Sequence, residues 1–195
     1  MKESSGETVH SMASPAEINM ISYRVINPKE IQRGLFRGFI RHQTVTDCLR
    51  FEGGKWVVRS DPFIDDWSEI DYGVLLRSLK DCAEIGGLVY GAFCGGLLKG
   101  FVSVEPELFG GGNKYLDLTF IYVSEDMRHR GIGRRLFLEA KDWALKRGAR
   151  KLYISAHSAV ESQAFYQSMG CVDAELPNAR HVEAEPYDRQ LECLL

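Results

Sequence analysis

No run in this 195-residue sequence approaches the roughly 20 apolar residues that a membrane-spanning helix needs. The amino terminus is polar and lacks the apolar core of a secretory signal, so residues 1–17 are expected to be a disordered tail ahead of one folded unit over 18–195. An excess of one charge is also missing. The 24 Lys and Arg against 27 Asp and Glu leave a net −3, which gives no electrostatic footprint for nucleic acid or an anionic membrane. Cysteine is sparse: Cys48, Cys82, Cys94, Cys171 and Cys193 are odd in number and far apart in the chain. Without the close spacing of a zinc or redox motif, they read as thiols of a reducing cytoplasm, and no metal is expected. Internal repeats and low-complexity linkers are absent, so a second domain has nowhere to begin.

A hydrophobic content of 45% with 11% aromatics is ample for a core. Asn27-Pro28-Lys29-Glu30 has the form of a helix N-terminus, and Ile31, Leu35, Phe36 and Phe39 follow at helical spacing, after a short strand from Ile21 to Val25. Thr44 to Trp67 has weak periodicity and reads as a long loop with room for a short strand, carrying exposed-looking Trp56, Phe63 and Trp67. Helical spacing predicts a helix from Ser68 to Ile85 that buries Tyr72, Leu75, Leu79 and Cys82. Strands Leu88–Cys94 and Leu97–Glu105 are joined by Gly95-Gly96, a two-residue hairpin signal, and Tyr115–Val123 completes a meander. The second half alternates: a helix from Ile132 closed by Gly148, a strand Lys151–Ala156, and a helix through Phe165 begun by a Ser158/Glu161 capping box. Two last strands are expected over Cys171–Ala174 and Tyr187–Leu195.

The informative segment is the strand ending Ile121-Tyr122-Val123, the basic loop Arg128-His129-Arg130-Gly131, and the helix that starts at Ile132-Gly133-Arg134. Helix-start amides lack intrahelical acceptors and sit at the positive end of the dipole, so this junction is an anion cradle. A dinucleotide fingerprint would need glycine where Leu136 stands, and a Walker A loop would need Gly-Lys-Ser/Thr; neither fits. Gly131 and Gly133 taken alone are more often a tight turn than a binding loop.

Arg128-x-x-Gly131-x-Gly133 after that strand resembles the acetyl-CoA signature of the GNAT acetyltransferases. Ala164-Phe165-Tyr166-Gln167-Ser168-Met169-Gly170 resembles their second signature. The resemblance covers 88–195 and implies an α/β (α+β) GNAT fold: a mixed sheet of six or seven strands, splayed at the coenzyme site, with about four helices. It implies that the backbone of Ile121 and Val123 bonds the pantetheine arm, that amides from His129 or Arg130 through Ile132, Gly133 and Arg134 hold the diphosphate, and that Arg128 and Arg130 add charge. Phe165 joins the coenzyme site, and Tyr166 is the expected general acid. Asp117 resembles the catalytic glutamate position of histone-type members, with Glu105 and His157 next in line; many members use water instead. Many members also place an asparagine before the second signature helix, where this chain has Ser158-Ala159, leaving Ser158 or Ser162 as substitutes.

The expected function is transfer of an acetyl group from acetyl-CoA to the primary amine of a small molecule or peptide. A non-catalytic acyl-CoA-binding module is the alternative. Acetyl-CoA and an amine acceptor are the expected partners, with a homodimer possible in the family. Asp65, Asp66 and Glu69 are compatible with a cationic amine.

Overall fold

Gly53-Gly54 takes φ values of 55° and 80°, the left-handed pair that a two-residue hairpin needs, and it converts the expected loop into the longest β structure of the chain. In the computed structural model, which describes residues 20–195, β2 (His42–Glu52) and β3 (Lys55–Asp66) pair antiparallel around this turn. The expected tail over 1–17 lies outside the described residues. The hairpin escapes a periodicity reading because much of β3 is exposed on both faces. Cross-strand contacts of its own stabilise it, such as Phe51 edge-on to Trp56 at 5.2 Å. Trp67, which reads as exposed, instead stacks on Phe39 with the rings 8° from parallel.

The helix expected after Asn27 is also revised. Its capping box forms, but it supports only a 3-10 turn over Pro28–Glu30, followed by a second over Arg33–Phe36. Gly38 approaches Leu97 so closely that a β-carbon there would lie 2.9 Å from its side chain. The chain is therefore shaped by packing of Ile31, Phe36 and Phe39 into a core, which overrides local helical spacing.

The main sheet has seven strands in the order β1 (Ile21–Val25), β4 (Leu88–Cys94), β5 (Leu97–Val104), β6 (Tyr115–Val123), β7 (Lys151–Ala156), β9 (Arg189–Leu194), β8 (Val172–Asp173). All neighbours are antiparallel except β6 and β7. Four helices accompany it: α1 (Glu69–Glu84), α2 (Ile132–Lys146), α3 (Val160–Ser168) and α4 (Ala179–Ala184). The short α4, capped by Asn178, is an addition to the expected elements. Ser68 caps α1 through a box with Asp71. The box expected at Ser158 does not form: Ala159 occupies the N-cap, and the Ser158 hydroxyl accepts from Arg50 Nη1 at 2.8 Å across to the hairpin.

Two features of β6 set up the site. Pairing to β7 joins only Tyr115, Leu116 and Asp117 to Lys151, Leu152 and Tyr153; beyond these the strands diverge. Against β5, Leu118 opposes Val104 and Phe120 opposes Ser103, so Thr119 is a bulge. The bulge exchanges the faces: Leu116 and Leu118 share one core with Ile121 and Val123, while Phe120 and Tyr122 turn to the other. The first core lies beneath α2 and α3, with Leu136, Phe137 and Ala140 against Val102, Leu152 and Ile154. The second packs α1 and the 3-10 turns on the opposite face around Phe101, which meets Phe36 edge-on at 5.5 Å. Burying one such ring contributes on the order of 2–3 kcal/mol.

Candidate active site

Where β6 and β7 part, a cavity of about 480 Å³ opens between the strands, the start of α2, the inner face of α3 and the hairpin. Ile121, Tyr122 and Val123 form one side while still paired to β5 through Val102, Phe101 and Gly100. Ser162, Phe165 and Tyr166 form the opposite side, and Gln43, Thr44 and Asp65 close it from the hairpin.

The loop into α2 is built for backbone exposure. His129 has φ 60° and Gly131 φ 77°, the latter acting as an N-cap with no side-chain bond to the helix. The amides of Ile132, Gly133 and Arg134 therefore lack intrahelical acceptors, and the helix dipole adds positive potential. The two glycines do different work. A β-carbon on Gly131 would meet nothing within 4 Å, so its conformation is what calls for glycine. A β-carbon on Gly133 would lie 3.3 Å from the Phe165 ring and 3.7 Å from Val123, two residues that also line the cavity.

The basic residues separate by role. Arg128 turns inward, donating from Nη2 to the His42 carbonyl at 2.5 Å, and burial together with nearby Arg41 lowers its pKa. It ties the hairpin to the loop. Arg130 and Arg134 are exposed beside the helix start, and the Ile132 side chain is buried in the core. Of the loop residues expected at a coenzyme, Arg128, His129 and Gly133 line the cavity; Arg130, Gly131, Ile132 and Arg134 do not.

Tyr166 is 8% exposed and packs against Phe165 and Phe137 while lining the cavity. Burial raises its pKa strongly, and Tyr122, Cys171 and Asp188 add to the effect, so the phenol keeps its proton through the neutral range. Tyr122 is likewise raised by burial. The Arg41 guanidinium lies 5.0 Å from the Tyr122 ring centre and pairs with Asp65. His157 also lines the cavity; its Nδ1 accepts from the Ala159 amide at 3.2 Å, which places the proton of the neutral ring on Nε2.

Asp117 stands apart. It does not line the cavity but sits at the vertex where β6 leaves β7, with Oδ2 2.5 Å from His181 Nε2 of α4. Its other oxygen, Thr119 Oγ1 and Ser103 Oγ are buried without hydrogen-bond partners among the described residues. Buried polar atoms of this kind are the usual places for ordered water. Glu105 is close by, its pKa raised by burial and then by Asp117, with Arg180 opposing.

Sequence reasoning missed Arg41, Gln43, Thr44, Tyr122 and His181. The first three belong to the unrecognised hairpin and its approach, and the bulge at Thr119 hides the orientation of Tyr122. His181 has no motif to mark it. Among the described residues no group of three His, Cys, Asp or Glu side chains is placed to hold a metal.

The family model of the acetyltransferase (GNAT) family matches residues 56–171. A spermidine N(1)-acetyltransferase of Thermoplasma acidophilum is 25% identical over 134 residues, which cover 65% of this chain and 80% of the relative. The crystal structure of a nourseothricin acetyltransferase superposes with a TM-score of 0.62 at 21% identity, covering 88% of this chain and 95% of its own. A Bacillus anthracis str. Ames structure solved with acetyl coenzyme A gives 0.63 at 16% identity, covering 89% and 96%. At these identities the structural likenesses show the fold.

Proposed function

Because the chain belongs to the GNAT acetyltransferase family, we propose that it moves an acetyl group from acetyl-CoA to the primary amine of a small molecule or peptide by direct transfer. The observation that carries this reading is the cavity itself, which has Gly133 of the α2 first turn and a buried, protonated Tyr166 on its lining, with the remaining free amides of that turn beside it. Acetyl-CoA supplies the thioester carbonyl and a thiolate leaving group. In this reading the backbone at Ile121 and Val123 bonds the pantetheine arm. The amides from His129 to Arg134 receive the diphosphate, with Arg130 adding charge, and Phe165 packs beside it. Arg128 contributes by fixing the hairpin that closes the cavity.

Tyr166 donates its proton to the departing sulfur, burial having kept the phenol protonated up to that step. The amine must lose a proton on the other side. Asp117 lies too far along β6 to touch it, so it serves through water held at Thr119, Ser103 and its own unpaired oxygen, backed by His181. The spermidine acetyltransferase among the relatives supports an amine acceptor, and Asp65 on the cavity wall suits a cationic one. A cytoplasmic location and the absence of nucleic acid or membrane partners belong to the same reading, supported by the balanced charge and the cysteine spacing.

The test is a thermal shift with acetyl-CoA, followed by release of CoA across a panel of amines. A ligand bound by the folded state alone raises the melting temperature according to its concentration over Kd. No shift and no heat of binding at saturating acetyl-CoA would remove the proposal. Binding without CoA release from any amine would favour the non-catalytic alternative.

A further inference from the structure

The last strand pairing brings together two cysteines that are 22 positions apart in sequence. In β8 and β9, Val172 opposes Glu192 and Asp173 opposes Leu191; one step further in that register sets Cys171 against Cys193. Opposed residues of an antiparallel pair have Cα atoms about 4.5–5.5 Å apart, inside the window of roughly 4.4–6.8 Å that a disulfide spans. Both side chains lie in the same core, beneath α2 and α3, at 8% and 2% exposure. The Cys193 sulfur lies 3.6 Å from the Met169 carbonyl oxygen, in the turn that leads from α3 to Cys171. The Cys171 thiol and then Lys141 of α2 hold Cys193 below the ordinary thiol range, which favours a thiolate there.

The position is both reachable and consequential. β8 is the outermost strand and pairs over two residues only, so local opening exposes the pair without global unfolding. On the inner side, the Cys171 amide donates to the Tyr166 carbonyl at 3.0 Å, closing the end of α3. Cys48, Cys82 and Cys94 stand on β2, α1 and β4.

We propose that Cys171 and Cys193 form a redox modification site that closes to a disulfide in the presence of a low-molecular-weight disulfide such as oxidised glutathione. The Cys193 thiolate attacks one sulfur of the reagent and expels a glutathione thiolate, leaving a mixed disulfide. Cys171, losing its proton, then attacks the Cys193 sulfur and expels the second glutathione thiolate. The two protein thiols give up two electrons and two protons, and the reagent is reduced to two thiols. The new bond ties the chain just after the Tyr166 helix to β9.

The test uses the full chain equilibrated in glutathione buffers of graded poise, alkylated, and mapped by mass spectrometry without reduction. The expected result is one intramolecular bond between the Cys171 and Cys193 peptides, a loss of two titratable thiols, and reversal by dithiothreitol. In Cys171→Ser the intramolecular bond is lost and a glutathione adduct accumulates on Cys193. The proposal is overturned if the wild-type chain keeps both cysteines alkylatable at every poise, or if oxidation goes to Cys48, Cys82 or Cys94 while these two stay reduced. The wild-type map decides the matter even if a serine variant folds poorly.

Discussion

His181 Nε2 and Asp117 Oδ2 lie 2.5 Å apart, joining α4, a six-residue helix, to the vertex from which the central strands separate. The hydrogen bond to Asp117 raises the His181 pKa above 6.5, against burial and Arg180, while Asp188 adds to the rise. Below pH 6.5 the histidine is protonated whether the chain is folded or not, so the pair contributes in full. Its contribution is lost as pH climbs through the raised folded value. The melting temperature should therefore decline above pH 6.5, and His181→Gln should flatten that decline; about 2–4 °C corresponds to each kcal/mol in a chain of this size. An unchanged slope in the variant would show that the pair does not titrate as described. Glu105 and Asp188 also face this region with raised values, so both belong in any fit of the profile.

The same pair has a kinetic counterpart. Asp117→Asn should depress kcat at low pH and recover part of it at high pH, where more of the amine is already neutral. A uniform loss at all pH values would point to a structural role for Asp117.

Tyr166→Phe should lower kcat on the order of 10²-fold with little change in KM for acetyl-CoA, as expected when general-acid assistance alone is removed. The ring contacts with Phe137 and Phe165 survive the change. Near-normal kcat with chemistry shown to be rate-limiting would assign the rate to positioning instead.

Gly133→Val should weaken acetyl-CoA binding by roughly tenfold or more, a loss of about 1.4 kcal/mol or above, because its side chain would enter the cavity from a point already 3.3 Å from Phe165. The backbone there is helical, so the apo protein should keep its fold with a modest drop in melting temperature. Calorimetric titration of the folded variant reads the effect directly. Affinity equal to the parent's would contradict the placement of the coenzyme.

Ser68→Ala provides a control on the opposite face. It removes the α1 cap and its bond from the Asp71 amide, at a cost of about 1 kcal/mol. Chemical denaturation should register that cost while acetyl-CoA affinity stays constant, since α1 packs in the core away from the α2 loop.

Legibility in the sequence followed the kind of signal available. The strand Tyr115–Val123 and the helix starting at Ile132 were readable to the residue: the strand is covered on both faces and reads as a nearly continuous apolar run, and the helix buries one face, which periodicity reports. The hairpin was illegible for the converse reason. Its strands are covered on one side at most, so Phe51, Val58 and Ile64 remain exposed and blur the alternation. Tyr166 could be found through its motif, but the partner of Asp117 could not. His181 meets it only because a short helix after β8 folds back over the sheet, a tertiary event with no local signature.

The hairpin meets the second half of the chain through few backbone bonds, notably an isolated bridge between Cys48 and Ala159 and the Leu49 amide donating to the Ser158 carbonyl at 2.8 Å. It has its own turn and its own register, and Arg128 grips it at the His42 carbonyl, the first residue of its first strand. Side chains such as Gln43, Thr44 and Asp65 can thus be exchanged without disturbing the ladder that positions Ile121 and Val123. One wall of the cavity is a removable panel and the other is masonry, so the contour presented to whatever enters from the hairpin side can drift while the strand and helix start opposite it stay fixed.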